Sequence, residues 1–131
     1  MQINWGRMLW TAPAAWLLAG AAWSQGAPAA ASVDMGKRLF MRCAACHEAK
    51  AGGPAKMGPH LQDLIGRPAG GLPNYGYSAA MKSKKFVWDE AQLHAWLARP
   101  TAVVPGTTMA FMGMPDAAER QALIDYMRTL K

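Results

Sequence analysis

The stretch Cys43-Ala44-Ala45-Cys46-His47 decides how this sequence is interpreted. It places two thiols one helical turn apart, and an imidazole follows the second thiol directly. The chain has only two cysteines and three histidines, so a four-ligand zinc site would need both cysteines and two of the histidines. Two cysteines are also too few for a small fold that depends on several disulfides.

The same five residues have the spacing of a c-type haem attachment site. Two thiols add across the two vinyl groups on one porphyrin edge, so they must lie close together on a compact turn. The adjacent histidine then lies beneath the iron and supplies an imidazole nitrogen. A thioredoxin-type redox pair is the alternative, but no strand–helix–strand pattern surrounds this motif and His47 follows it directly. The motif predicts one covalently attached haem c.

Hydrophobic periodicity predicts an all-α domain in which long loops and short helical turns wrap around one haem. Three main helices are predicted, at Val33–Ala45, Glu90–Ala98 and Ala117–Leu130. Asp89 and Asp116 are the expected N-caps of the second and third helices, and Pro100 is the expected stop of the second. Short helical turns are predicted at Leu61–Ile65 and Ala79–Lys82. The long Gly- and Pro-rich loop after the first helix needs support, which the haem would provide as the missing apolar centre.

Residues 1–24 are predicted to be a signal peptide. One charge, Arg7, precedes the apolar run Met8–Trp23, which is short for a membrane span of about 20 residues. Ala22 and Ser24 provide the small residues that cleavage requires. Residues 25–32 are expected to be an Ala/Pro-rich tether, and residues 33–131 the haem domain. An uncleaved membrane anchor stays open, because four of the six tryptophans fall in the first segment.

The iron needs a sixth ligand, and methionines and histidines are the candidates. They are Met35, Met41, Met57, Met81, Met109, Met112, Met114, Met127, His60 and His94. Met109 stands out because Pro105 and Gly106 fix a turn that can present it to the opposite haem face. Met112 and Met114 are expected to pack against the haem or the third helix, and His94 is expected at the surface.

From Asp34 to Lys131 the chain closely resembles class I cytochrome c, the soluble bacterial and mitochondrial type with one haem. The matching residues are Gly36, Phe40, Cys43-Ala44-Ala45-Cys46-His47, Gly58-Pro59-His60-Leu61, Gly66-Arg67, Tyr75-Gly76-Tyr77-Ser78, Trp88, Pro105-Gly106-Thr107-Thr108-Met109-Ala110-Phe111 and Leu123-Ile124-Asp125-Tyr126. The segment that ends at Phe111 is more specific than the haem motif alone. The resemblance also implies that Gly36 and Phe40 meet Tyr126 where the terminal helices cross.

The resemblance implies how the haem and its iron are held. Cys43 and Cys46 would hold the haem by thioethers, with His47 and Met109 as axial ligands. The Pro59 carbonyl would accept a hydrogen bond from the His47 Nδ1–H, which orients the imidazole and raises its basicity.

The resemblance also implies contacts at the haem periphery. Tyr77 and Trp88 would donate hydrogen bonds to a buried propionate, and Arg67 would offset its charge. Thr107 would bond the other propionate, and Phe111 would shield the haem edge.

Charge and the resemblance together indicate the function class. The chain has a formal charge of +6, but no basic run is long enough to suggest a nucleic-acid partner. The resemblance implies a monomeric electron carrier, not an enzyme, in a periplasmic respiratory chain between a quinol-oxidising complex and a terminal oxidase or reductase. Contact with the membrane is expected only if the N-terminal segment is uncleaved.

Partner proteins with acidic docking faces would meet basic side chains around the haem edge. The candidates are Lys37, Lys56, Lys82, Lys84 and Lys85. An electron-transfer subunit of an exported dehydrogenase or sulfur-oxidising enzyme is the alternative. A peroxidase-like haem enzyme is a further one, but a six-coordinate iron argues against it.

Overall fold

The computed structural model describes residues 29–131. The predicted signal peptide, residues 1–24, and the first half of the predicted tether lie outside the described residues. Within residues 29–131, no helix is long and apolar enough to span a lipid bilayer.

The described part of the chain contains five α-helices joined by loops. They are α1 at Ala29–Ala44, α2 at Ala79–Lys82, α3 at Glu90–Ala98, α4 at Pro100–Val103 and α5 at Ala117–Arg128. The one β-type pairing among these residues is an isolated antiparallel bridge between Pro68 and Val87. The predicted all-α class is confirmed, and the three main helices lie where the periodicity predicts them.

Helix α1 is described from Ala29 and so already includes the four positions before the predicted start at Val33. It therefore takes in Ala29–Ser32, the second half of the segment expected to be a tether. Alanine is the best helix former, and the Ser32 hydroxyl donates a hydrogen bond to the Asp125 carboxylate on α5. A tertiary contact thus holds the first turn of α1 in place.

The terminal helices α1 and α5 cross at a glycine. A Cβ on Gly36 would lie 1.9 Å from the Ala122 carbonyl oxygen and 2.7 Å from the Tyr126 Cβ. Only glycine allows the two backbones to approach this closely. Next to the crossing, the Phe40 and Tyr126 rings pack with centroids 5.2 Å apart, so the expected contact is confirmed.

The predicted helix caps are confirmed in the structure. The Gln92 N–H donates to the Asp89 carboxylate at 2.7 Å, and the Glu119 N–H donates to the Asp116 carboxylate at 2.9 Å. Each bond satisfies a backbone donor that the first turn of a helix leaves unpaired. Helix α5 ends at Arg128, two residues before the predicted end.

Pro100 follows the end of α3, as predicted, and it also opens α4, because proline suits the first position of a helix. One prediction about a short segment needs correction. Leu61–Ile65 forms turns and not a helical turn; Asp63 there has a φ of 53°, a left-handed conformation that a helix does not contain. The turn predicted at Ala79–Lys82 is confirmed as α2, with Ser78 as its N-cap.

Candidate functional site

The Cys-x-x-Cys-His motif occupies the C-terminal end of α1. Cys43 lies in the last turn, and its carbonyl accepts hydrogen bonds from the Cys46 N–H at 3.0 Å and the His47 N–H at 2.8 Å. These two bonds fold the motif into one compact turn around the Cys43 carbonyl. The two cysteines form no disulfide with each other, and both are half-buried.

The turn forms one wall of a cavity of about 320 Å³. All ten residues predicted for the site line this cavity: Cys43, Cys46, His47, Pro59, Arg67, Tyr77, Trp88, Thr107, Met109 and Phe111. The apolar side chains among its further lining residues include Leu61, Leu64, Met81, Leu93, Trp96 and Leu97. A second cavity, of about 390 Å³, lies beside the loop 48–60 and contains neither thiol.

His47 is held by a hydrogen bond and by a packing contact. Its Nδ1 lies 2.7 Å from the Pro59 carbonyl oxygen; because a carbonyl can only accept, Nδ1 carries the proton and Nε2 is left free to bind a metal. A Cβ on Gly58 would lie 2.3 Å from the His47 Cε1, so the imidazole packs directly on the glycine. Burial lowers the pKa of His47, which favours the neutral imidazole that a metal ligand must be.

The environment of Cys43 argues against the other uses of a Cys-x-x-Cys pair. Burial raises the pKa of the Cys43 thiol, and the nearby Arg42 charge opposes that effect only in part. Catalytic redox cysteines have lowered pKa values, because the thiolate is the reactive form. Among residues 29–131, no group of three or more His, Cys, Asp or Glu side chains is arranged to hold a metal ion.

The loop that carries Met109 forms another wall of the cavity. The Thr107 N–H donates to the Val104 carbonyl, the Met109 N–H to the Thr107 hydroxyl, and the Phe111 N–H to the Met109 carbonyl. Gly106 has a φ of 82°, a left-handed value that glycine adopts without strain. These local bonds shape a tight turn that brings Met109 to the cavity.

The structure separates the rival sixth ligands. Of the ten candidates, only Met57, Met81 and Met109 line the cavity. Met57 is 79% exposed and directly precedes Gly58, on the His47 side, whereas Met81 is buried in α2. The expected packing of Met112 is wrong, because its side chain is 96% exposed, and Met114 is buried in the core at 2%.

The polar residues predicted at the haem periphery also lie at the cavity wall. The Arg67 guanidinium donates to the carbonyls of His60 and Gln62, which uses two of its five donors and fixes its position. Trp88 packs edge-on against Trp96 with ring centroids 5.3 Å apart.

Sequence reasoning missed Tyr75 as a wall residue. Its hydroxyl donates to the Met57 carbonyl, and it packs edge-on against Tyr77 with ring centroids 4.7 Å apart. The bond ties the loop that contains Gly58 and Pro59 to the segment around residue 75. The sequence signal was its position two residues before Tyr77, within the matching segment Tyr75-Gly76-Tyr77-Ser78.

One other sequence prediction changes with the structure. His94, expected at the surface, is half-buried and bonded to side chains of α5. Lys56, a docking candidate, pairs with Glu48 at 2.9 Å and donates to the Ala44 carbonyl, and its part in docking stays a prediction. The ammonium of Lys56 therefore stabilises the loop next to the motif.

The donor set fits a tetrapyrrole with an iron centre. The cavity offers two cysteine thiols, one imidazole whose Nδ1 carries the proton, one thioether and a wall of apolar and aromatic side chains. Ligand cavities of this kind are mostly apolar with a few placed polar groups. No residue described as buried is polar or charged, so the interior around the cavity has a low dielectric constant.

Comparison with known proteins gives consistent matches. The family model Cytochrome c matches residues 33–131. Cytochrome c2 of Rhodomicrobium vannielii is 38% identical over 107 residues, which cover 82% of this chain and 86% of that protein. A cytochrome c homolog of Rickettsia felis is 36% identical over 99 residues, covering 76% of this chain and 57% of the relative, so the chain spans just over half of that protein. The solved structure of cytochrome cH from Methylobacterium extorquens superimposes with a TM-score of 0.69 at 37% identity, covering 74% of this chain and 97% of that one.

Proposed function

Because this chain belongs to the cytochrome c family, we propose that it carries electrons in a bacterial periplasm, from a quinol-oxidising complex to a terminal oxidase or reductase. Membership of the family makes it a monohaem electron-transfer protein, not an enzyme, with one covalently attached haem c. The resemblance to class I cytochromes c is thereby confirmed. The periplasmic location rests on the signal peptide predicted for residues 1–24.

One observation carries the proposal: the His47 imidazole and the Met109 side chain line the same apolar cavity. His47 and Met109 would be the axial ligands, and Cys43 and Cys46 would form the thioethers. The haem supplies a one-electron Fe(III)/Fe(II) centre. With both axial positions filled by protein side chains, no position is left for a substrate, which supports a carrier and opposes a peroxidase-like enzyme.

The chain's own residues favour the reduced state. A thioether ligand stabilises Fe(II) relative to a second imidazole, and the apolar wall disfavours the extra ferric charge. The Pro59 carbonyl works in the opposite direction, because its hydrogen bond to His47 makes the imidazole a stronger electron donor. The balance supports a comparatively high reduction potential.

Four residues would hold the polar edge of the haem. Tyr77 and Trp88 would donate to one propionate, and Arg67, already fixed by two carbonyls, would offset its charge. Thr107 would donate its hydroxyl proton to the other propionate, because its oxygen already accepts the Met109 N–H at 3.2 Å. Phe111 would cover the haem edge.

Partner proteins would present acidic faces to the basic side chains of this monomer. Lys37, Lys82 and Lys85 are exposed, and Lys84 is half-buried, so they are available for steering an encounter. Such exposed charges raise association rates and lose their effect at high ionic strength. A tight complex that co-purifies and survives high salt would instead favour a subunit of an exported dehydrogenase or sulfur-oxidising enzyme.

The proposal is tested by replacing Met109 with alanine in the holoprotein. Met109→Ala should abolish the charge-transfer absorption of a ferric iron–thioether bond, lower the reduction potential and allow azide to bind. Met112→Ala is the matched control, because that side chain is 96% exposed three residues away and its loss should change none of these properties. Covalent haem should remain in both variants. If Met109→Ala keeps the absorption, Met109 is not the sixth ligand. If the wild type lacks the absorption and binds peroxide readily, the carrier assignment is wrong.

A further inference from the structure

A row of hydrogen-bonded side chains, none of which lines the cavity, joins α3, α5 and α1. The Arg120 Nε–H approaches the His94 Nδ1 at 3.4 Å, and the His94 Nε2 lies 2.9 Å from the Gln121 Oε1. The Gln121 amide donates to the Asp125 Oδ1 at 3.0 Å, and the Ser32 hydroxyl donates to the Asp125 Oδ2. The row runs from α3 along α5 to the first turn of α1.

The donors and acceptors of this row are mutually consistent. Since Arg120 can only donate, the His94 Nδ1 accepts and Nε2 carries the proton. That proton is donated to Gln121, whose amide group donates in turn to Asp125. One arrangement of protons satisfies every contact. The contact with the His94 Nδ1 orients the Nε end of the Arg120 side chain.

The other end of Arg120 reaches the loop that contains Met109. One terminal nitrogen of its guanidinium donates to the Met114 and Pro115 carbonyls, at 2.7 Å each. Bonds from a charged donor are the stronger kind of hydrogen bond in proteins. Arg120 thus binds the chain just five and six residues after Met109.

The same segment is fixed from a second side by α3. The Met114 N–H donates to the Leu97 carbonyl at 2.7 Å. Gly113 has a φ of 107°, and a Cβ there would lie 2.2 Å from the Ala98 carbonyl oxygen. The exit of the loop therefore has a backbone contact on one side and the Arg120 guanidinium on the other.

We propose that Arg120, oriented by His94, is a positioning residue that holds Met109 on the iron. The proposal rests on the proposed function in that Met109 is the sixth ligand. Dissociation of a loop ligand requires the loop to move away from the cavity. Fixing residues 113–115 shortens the mobile part of the loop to its tip, so fewer open conformations compete with the bound one. Arg120 does not line the cavity, so it would act only through the loop.

The test compares Arg120→Gln and Arg120→Lys with Arg128→Gln in the covalently loaded protein. Arg128 lies two turns further along α5, pairs with Glu90 and has a side chain 48% exposed, so it controls for loss of a cation from this helix. Arg120→Gln should bind imidazole at the ferric iron about ten- to a hundred-fold more tightly, the effect of losing one or two charged hydrogen bonds. Arg120→Lys should fall in between, and Arg128→Gln should match the wild type.

Amide hydrogen exchange provides a readout that is independent of the iron. The Phe111 and Met114 N–H groups should exchange faster in both Arg120 variants than in the wild type. In Arg128→Gln they should exchange at the wild-type rate. His94→Leu leaves the two carbonyl bonds of Arg120 in place and removes its orienting partner, together with the bond from His94 to Gln121. It should shift both readouts in the same direction by a smaller amount, and it keeps the proposal testable if Arg120→Gln does not fold.

The outcomes separate this proposal from the proposed function. A wild type without the iron–thioether absorption overturns the proposed function and this inference with it. A wild type with that absorption, together with Arg120 and His94 variants that match it in imidazole affinity and amide exchange, overturns the positioning role alone. Equal changes in Arg128→Gln would show a general effect of charge and would also overturn it.

Discussion

Replacing Gly58 with alanine should destabilise the folded protein through a single contact. The new Cβ would lie 2.3 Å from the His47 Cε1, whereas ordinary contacts of a Cβ begin at 3.4 Å. The imidazole would have to move by roughly 1 Å, and its Nδ1 is bonded to the Pro59 carbonyl at 2.7 Å. A shift of that size would strain or break that bond.

The magnitude follows from the two effects that the displacement combines. Overpacking a tightly filled site costs about 1–3 kcal/mol, and a lost hydrogen bond costs about 1 kcal/mol. Gly58→Ala should therefore lower the free energy of unfolding by about 2–4 kcal/mol. The reduction potential should rise as well, because an imidazole without its Nδ1 partner is a weaker electron donor.

Denaturant unfolding of the loaded protein, followed by circular dichroism and haem absorption, measures the effect. Gly76→Ala is the matched control, because a Cβ there meets nothing within 4 Å. The control corrects for the general effect of alanine on the unfolded chain, a gain of about 0.4–1 kcal/mol. If Gly58→Ala unfolds at the same denaturant concentration as Gly76→Ala, the imidazole is not packed tightly between Gly58 and its hydrogen bond to Pro59, and the reasoning is refuted.

Two further perturbations test the frame around the cavity. Gly36→Ala should separate α1 from α5 and lower the free energy of unfolding by about 2 kcal/mol or more. The reason is that the new Cβ would lie 1.9 Å from the backbone oxygen of Ala122. Equal unfolding midpoints for Gly36→Ala and Gly76→Ala would contradict the close crossing. His60 has a buried Nδ1 with no hydrogen-bond partner, and burial and then the Arg67 charge lower its pKa below the ordinary 6.5. On acidification the His60 imidazole therefore becomes protonated in the unfolded chain at a higher pH than in the folded one. The free energy of unfolding should fall as the pH drops below about 6.5. In His60→Asn this part of the loss should disappear, and an unchanged pH profile would show that His60 does not contribute.

The parts of the fold that local sequence determines could be predicted. The caps at Asp89 and Asp116 need only a side chain three residues before a backbone donor, and the motif at Cys43 carries its own spacing. The start of α1 could not be predicted, because it depends on a bond from Ser32 to a residue 93 positions away.

Neighbouring methionines show the same limit within the site. Met112 and Met114 differ by two positions, yet one is 96% exposed and the other 2%. Gly113 lies between them with a φ of 107°, close to the Ala98 carbonyl, and the Met114 N–H donates to the Leu97 carbonyl, which places Met114 against α3. The sequence could single out Met109 for the cavity, but the opposite exposures of Met112 and Met114 depend on contacts with α3.

The pairing of α1 with α5 also has a consequence for the order in which the molecule forms. Gly36 meets Ala122 and Phe40 meets Tyr126, so the first helix of the described residues packs on the last. A short isolated helix is marginal in water, so α1 becomes stable only once α5 has docked on it. In an exported chain that folds after it has crossed the membrane, the cysteines at the end of α1 therefore stay accessible to the attachment chemistry until the two terminal helices meet.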